Sequence, residues 1–183
     1  MSTRSCIFVE VKKEDFLKRM KPDKEMLYAK GYHFGDVDSE KRIPEEEVDK
    51  VPATELSAKY IGIYHHWDGY PDGVGETLVN KFNTYEEALN LMLFGDQSTI
   101  NREDELLPYW LRGAGYKKSE DTPPMLESKI PMDLGKTHWA EYVYLFKNGE
   151  WYFDRAYYEK RKRYTWKKLA DYLAKEKEKE GQQ

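Results

Sequence analysis

One cysteine, Cys6, is all the thiol chemistry this chain contains. That excludes an intramolecular disulfide and a thiolate-rich metal cluster, and the apolar run SCIFVEV around it reads as a strand with a buried structural thiol. No stretch approaches the ~20 apolar residues of a membrane span, and the N-terminus lacks a long apolar leader segment, so a cytoplasmic protein is expected. An excess of one charge is missing as well. The 30 Lys and Arg stand against 34 Asp and Glu, for a net charge of −4, which gives no general attraction to nucleic acid or anionic membrane. Rossmann and P-loop glycine spacings are absent, as are repeats at solenoid periods. What the chain does have is rings. Aromatics make up 15% of it, with 15 Tyr against 7 Phe, so core and surface alike must use rings that carry a polar edge.

The length suits a single domain, 1–183, with a core of 1–11, 59–100 and 138–180 and two insertions, 12–58 and 101–137. Breakers crowd both insertions: Pro22, Gly31, Gly35, Pro44 and Pro52 in the first, and Pro108, Gly113, Gly115, Pro123, Pro124, Pro131 and Gly135 in the second. Short helices are predicted from about Glu14 to Met20 and from Pro44, with one turn from Leu106 to Leu111. KYIGIYHH at 59–66 has strand character and runs into turn residues Asp68-Gly69 and Pro71-Asp72-Gly73, with Asp72 a candidate helix cap. Val74, Leu78 and Phe82 recur as a helical stripe. Thr84 and Glu87 form a T-x-x-E capping box that opens a second helix, 85–94, whose Tyr85, Ala88, Leu89, Met92 and Leu93 share a face. Asn148-Gly149 predicts a hairpin that pairs Lys147 with Glu150 and puts Tyr142, Tyr144, Phe146, Trp151 and Phe153 on one face. Thr165 is a candidate cap for a last helix, 166–179. These elements predict an α+β fold, a small antiparallel sheet of about four strands with helices 73–82, 85–94 and 166–179 mainly on one face.

The densest group of reactive side chains is His65, His66, Asp68 and Asp72, with Asp96 following on the next helix. Imidazole and carboxylate together can bind a metal or exchange protons. Asp68 and Asp72 also each precede a glycine, the position of a turn or cap, and adjacent histidines on a strand face opposite ways. Gly69, Gly73 and Gly75 lead into a helix start that could present N–H groups to an anion. Together His66, Trp67, Asp68, Gly69, Tyr70, Asp72, Gly73 and Gly75 are the candidate ligand- or partner-binding residues. Lys160, Arg161, Lys162 and Arg163, interleaved with Tyr157, Tyr158, Tyr164 and Trp166, are a weaker nucleic-acid candidate. Arg4 could pair with Asp68 or Asp96 across the sheet end. No catalytic residue, metal site or cofactor is assigned.

Three segments carry a resemblance: MSTRS at the start, IYHHWDGYPDGVG in the middle, and LMLFGDQSTI after the second helix. They resemble a group of uncharacterised bacteriophage and prophage proteins that open M-G-T-R-S and contain Y-x-H-W-D-G-Y. The likeness covers residues 1–11 and 60–100, and more weakly the YVYLFKNGEWY hairpin; Ser2 stands where that group has Gly. It implies a phage or mobile-element origin and carries no activity. The expectation is a non-enzymatic accessory protein that binds a host or defence protein, an inhibitor of a bacterial defence system in its sharpest form. A nucleotide-like ligand at the 69–76 corner is the first alternative, and a metal-assisted hydrolase using His66, Asp68 and Asp72 the second.

Overall fold

The computed structural model describes residues 2–16, 21–32, 58–101, 106–109, 124–156 and 163–182. In chain order these form β1 (Ser5–Glu10), α1 (Lys13–Phe16), α2 (Lys24–Ala29) and β2 (Tyr60–His65). A π-helical turn at Pro71–Gly75 leads into α3 (Glu76–Lys81), followed by α4 (Tyr85–Leu93), β3 (Gln97–Ile100), β4 (Leu106–Pro108), β5 (Met125–Glu127) and α5 (Leu134–Thr137). The chain closes with β6 (Tyr142–Lys147), β7 (Glu150–Arg155), β8 (Lys167–Lys168) and α6 (Leu169–Gly181).

The sheet corrects the expectation of about four antiparallel strands. Among the described residues it has eight strands, in the order β4-β3-β2-β1-β6-β7-β8 with β5 paired to β2. It is also mixed: β1 runs parallel to β6, and β2 parallel to β3. Antiparallel neighbours can be joined by a tight turn, whereas parallel ones need a long crossover, and the chain between β1 and β6 supplies one. The outer edge of β2 is shared, β5 pairing with Tyr60–Gly62 and β3 with His65.

Side-chain alternation sorts the central strands onto two covered faces. Ile7, Val9, Ile61, Ile63, Tyr144 and Phe146 join one buried cluster with Leu27, Val74, Leu78, Phe82, Leu91 and Leu169 from the helices. Cys6, Phe8, Val143 and Leu145 join the other, beneath Ile130, Leu134 and Ala140. Burial on both faces is why β1 reads as a continuous apolar run instead of an alternating one.

Local signals account for the best-marked elements. Thr84 and Glu87 exchange both capping bonds at the start of α4, and Asn90 on that helix clasps the Asp23 backbone with bonds of 2.6 and 2.9 Å, docking α2. The hairpin pairs Phe146 with Trp151 and Lys147 with Glu150, with Asn148 and Gly149 at φ 52° and 77°. Several expectations shift. The stretch at 106–108 is strand β4 where one helical turn is predicted, because it pairs with β3. Thr165 caps no helix; its N–H donates to Asp154, and α6 starts at Leu169 after β8. Asp72 lies inside the π-helical turn, which begins after Tyr70. α1 ends its described span at Phe16, and the helix predicted from Pro44 lies outside the described residues.

Candidate functional site

The strand–turn–helix segment after β2 folds back on the N-terminus. Gly69 N–H donates to Thr3 O at 2.8 Å, an approach only glycine permits, since a Cβ there would stand 2.7 Å from that carbonyl oxygen. Tyr144 OH, buried in the hairpin, donates to Gly69 O at 2.8 Å. Asp68 takes φ 56°, which lets its carbonyl accept from Val74 N–H at 2.8 Å. A Cβ on Gly73 would sit 2.4 Å from that same Asp68 oxygen. The N–H groups of Gly73 and Gly75 both donate to Tyr70 O. The amides of Gly69, Gly73 and Gly75, which the sequence offered to an anion, are therefore used within the chain. Of the side chains there, Tyr70 OH donates to Asp68 Oδ1 at 3.2 Å, and Asp72 is exposed.

The two histidines part as the strand period requires. His65 is fully buried on the helix-covered side. Ile100 N–H donates to its Nε2 at 3.2 Å, so Nδ1 carries the proton and faces Ser5 Oγ at 3.2 Å. Burial and the neighbouring His66 bring its pKa down to about 3. It is a neutral core histidine. His66 turns to the opposite face, where its Nδ1 and Tyr64 OH share a 2.7 Å hydrogen bond.

Around His66 the fold assembles rings from distant segments. Tyr64 lies 5.9 Å from Tyr109 and 6.4 Å from His138, centroid to centroid. His66 lies 4.8 Å from Trp67, edge to face. Trp67 is 43% exposed; Trp139, directly after His138, is 63% exposed and held at φ 55°. Asp96, at the end of α4, reaches under this group: its Oδ1 accepts from Tyr64 N–H at 2.8 Å, and burial pushes its pKa up to about 7. Burial likewise raises the Tyr64 hydroxyl and lowers His138, against the pull of Asp133 and Glu127.

Of the residues singled out from sequence, His66, Trp67 and Asp96 thus come together, while His65, Asp68 and Asp72 do not join them as ligands. Among the described residues no three His, Cys, Asp or Glu side chains converge as a metal site would require. Arg4 forms no ion pair with Asp68 or Asp96 among the described residues. Lys160, Arg161 and Lys162 lie outside the described residues; Arg163 is exposed. Beside it, Tyr164 stacks on Trp166 at 4.8 Å and donates to Pro131 O, so both rings serve the second core cluster. Tyr64, Tyr109, His138 and Trp139 went unnoticed in the sequence. One signal was there: the His-Trp dipeptide occurs twice, at 66–67 and 138–139.

Fold and site together define an α+β protein with a mixed sheet and a ring-lined surface at the end of β2. Comparison with protein-family models, curated proteins and solved structures finds no match to the chain. Among the described residues, no helix is long and apolar enough to cross a membrane.

Proposed function

We propose that the protein is a non-enzymatic accessory protein of a phage or other mobile element, which binds a host protein through Trp67, Trp139 and the rings between them. One observation carries this: Trp139 is both exposed and held at φ 55°. A left-handed backbone costs an ordinary residue roughly 1–2 kcal/mol, and a bulky side chain there is a genuine outlier. That backbone closes α5, letting Ala140 N–H fold back to Leu134 O at 3.3 Å; the turn accounts for the conformation but not for a ring left 63% exposed, and a role in recognition is the reading that accounts for that exposure. Trp is among the residue types most enriched at binding hot spots, and Trp67, 43% exposed and edge-on to His66, offers a second one. The likeness of the HHWDGYPDG segment to phage proteins suggests the setting, with inhibition of a bacterial defence system as its most specific form.

The test is capture from host lysate by the wild type and by a Trp67→Ala/Trp139→Ala double variant. The expected result is a defined host protein retained by the wild type and released by the variant, whose circular dichroism is unchanged. Failure of the wild type to retain any protein, or equal retention by both, removes the proposal.

A further inference from the structure

Arg4 is a charge on this surface with no ion pair among the described residues. The β1–β2 register pairs Ser5 with His65 and Cys6 with Tyr64. Carried one residue outward, it sets Arg4 across from His66, on the face of Cys6 and Tyr64. Its backbone is fixed there, since its carbonyl accepts from Glu141 N–H at 2.8 Å and from Tyr142 N–H at 3.4 Å. Its Nε is buried and has no hydrogen-bond partner among the described residues. The guanidinium acts on the Tyr64 hydroxyl, favouring its ionised form. A guanidinium is always charged and presents a planar fork of donors suited to carboxylate or phosphate, and a buried donor left unpaired is costly. Neighbouring described carboxylates do not serve. Asp96 turns one oxygen to Tyr64 N–H and is drawn toward its neutral form by burial; Glu141, beside Arg4 on the β6 side, makes no ion pair with it among the described residues.

We propose that Arg4 anchors a binding pocket for a planar ring bearing an oxyanion, a phosphate or a carboxylate, with the anion on the guanidinium and the ring against Trp67, His66 and Tyr64. The anion matches the fork, and the rings beside it pack on one another, His66 edge to face with Trp67 at 4.8 Å and with Tyr64 at 5.9 Å, as a continuous aromatic platform for the ligand's ring. Stacking and edge contacts of this kind suit a planar ligand. The proposal shares its rim with the recognition surface above, but it is read on purified protein without any host factor.

Isothermal titration with a nucleoside 5′-monophosphate and with benzoate separates the two sources of the same chemistry; the tighter of the two names the class. Inorganic phosphate and the parent nucleoside serve as half-ligands. The expected result is binding of at least one full ligand, competition by inorganic phosphate, and a loss of at least about tenfold in Arg4→Gln, the scale of one charge-assisted hydrogen bond. Arg4→Lys recovers only part of that loss, because charge returns without the fork, and Trp67→Ala also weakens the ring-bearing ligand. Three results overturn the proposal: no heat from either ligand at concentrations on the order of 10 mM, undiminished affinity in Arg4→Gln, or a nucleoside that binds as well as its monophosphate. Should Arg4→Gln lose its circular dichroism, phosphate competition on the wild type decides, and failure to displace the ring ligand counts against the pocket. Host-protein capture that survives in Arg4→Gln, alongside a flat titration, leaves the protein-binding reading standing and removes this one.

Discussion

His65 and Asp96 sit on neighbouring strands' ends and tilt stability in opposite directions. The His65 pKa, about 3 in the fold against 6.5 as a free side chain, means that the unfolded chain takes up a proton that the fold refuses. Its contribution is fully present above 6.5 and is lost as pH falls toward 3. Asp96, at about 7 against 3.8, holds its proton in the fold, so its contribution is full below 3.8 and is lost as pH rises through 7. Between 3.8 and 6.5 the two slopes oppose each other. Urea midpoints of Asp96→Asn should therefore fall more steeply on acidification from 6.5 than those of the wild type; parallel curves would contradict this assignment. Trp139 gives a second residue-scale prediction. Trp139→Gly relieves the left-handed strain and should raise stability by up to about 1 kcal/mol, part of the relief being offset by the freedom glycine gives the unfolded chain. A destabilised variant in thermal denaturation would mean that the ring is held for packing. At this scale the sequence was half legible. That His65 and His66 face apart follows from the strand period alone, whereas the convergence of Tyr109 and His138 on Tyr64 needs pairings that no local pattern encodes.

Elements built on a local rule emerged where the sequence placed them. The Thr84–Glu87 box and the Asn148-Gly149 hairpin each satisfy their backbone within a few residues, so their signal is complete in the segment itself. β3, β4, β5 and β8 are two to four residues long and exist because a neighbour offers a ladder, as β4 does only through β3. That is why a four-strand antiparallel sheet looked sufficient. The hairpin also does something no hairpin signal announces: its Tyr144 hydroxyl ties the HWDGYPDG corner at Gly69. Tyr144→Phe removes that one bond and leaves a buried carbonyl unpaired, a loss of about 1–3 kcal/mol. Chemical denaturation measures it, and amide exchange at Gly69, Gly73 and Val74 should quicken more than exchange in β6. A variant as stable as the wild type would show that the corner holds without its anchor.

For the whole molecule, the helices divide into those that cover the sheet and one that leaves it. α6 is anchored by buried Leu169 and Leu173; beyond them its only ion pair to the body among the described residues joins Lys177 to Glu76 at 2.8 Å, with the lysine 67% exposed. A surface pair of that kind is worth about 0–1 kcal/mol, so a chain ending at Lys175 should melt within a few degrees of the full one, on the scale of about 1 kcal/mol or less. A large drop in melting temperature would give the charged tail a structural role. The α+β class is what the one mixed sheet and its covering helices show. The sheet's breadth and mixed order stayed hidden because β1, an N-terminal strand, takes β6 as its parallel neighbour from more than a hundred residues away.

That placement has a consequence for how the chain is made. β1 leaves the ribosome first, yet one of its two ladders must wait for Tyr142–Phe146. At about 5–20 residues per second, roughly 7 to 27 seconds separate the two segments. Throughout that interval the most deeply buried of the described strands carries an open, hydrogen-bond-hungry edge. A message truncated before β6 would release an aggregating fragment where one truncated within α6 would release a finished fold.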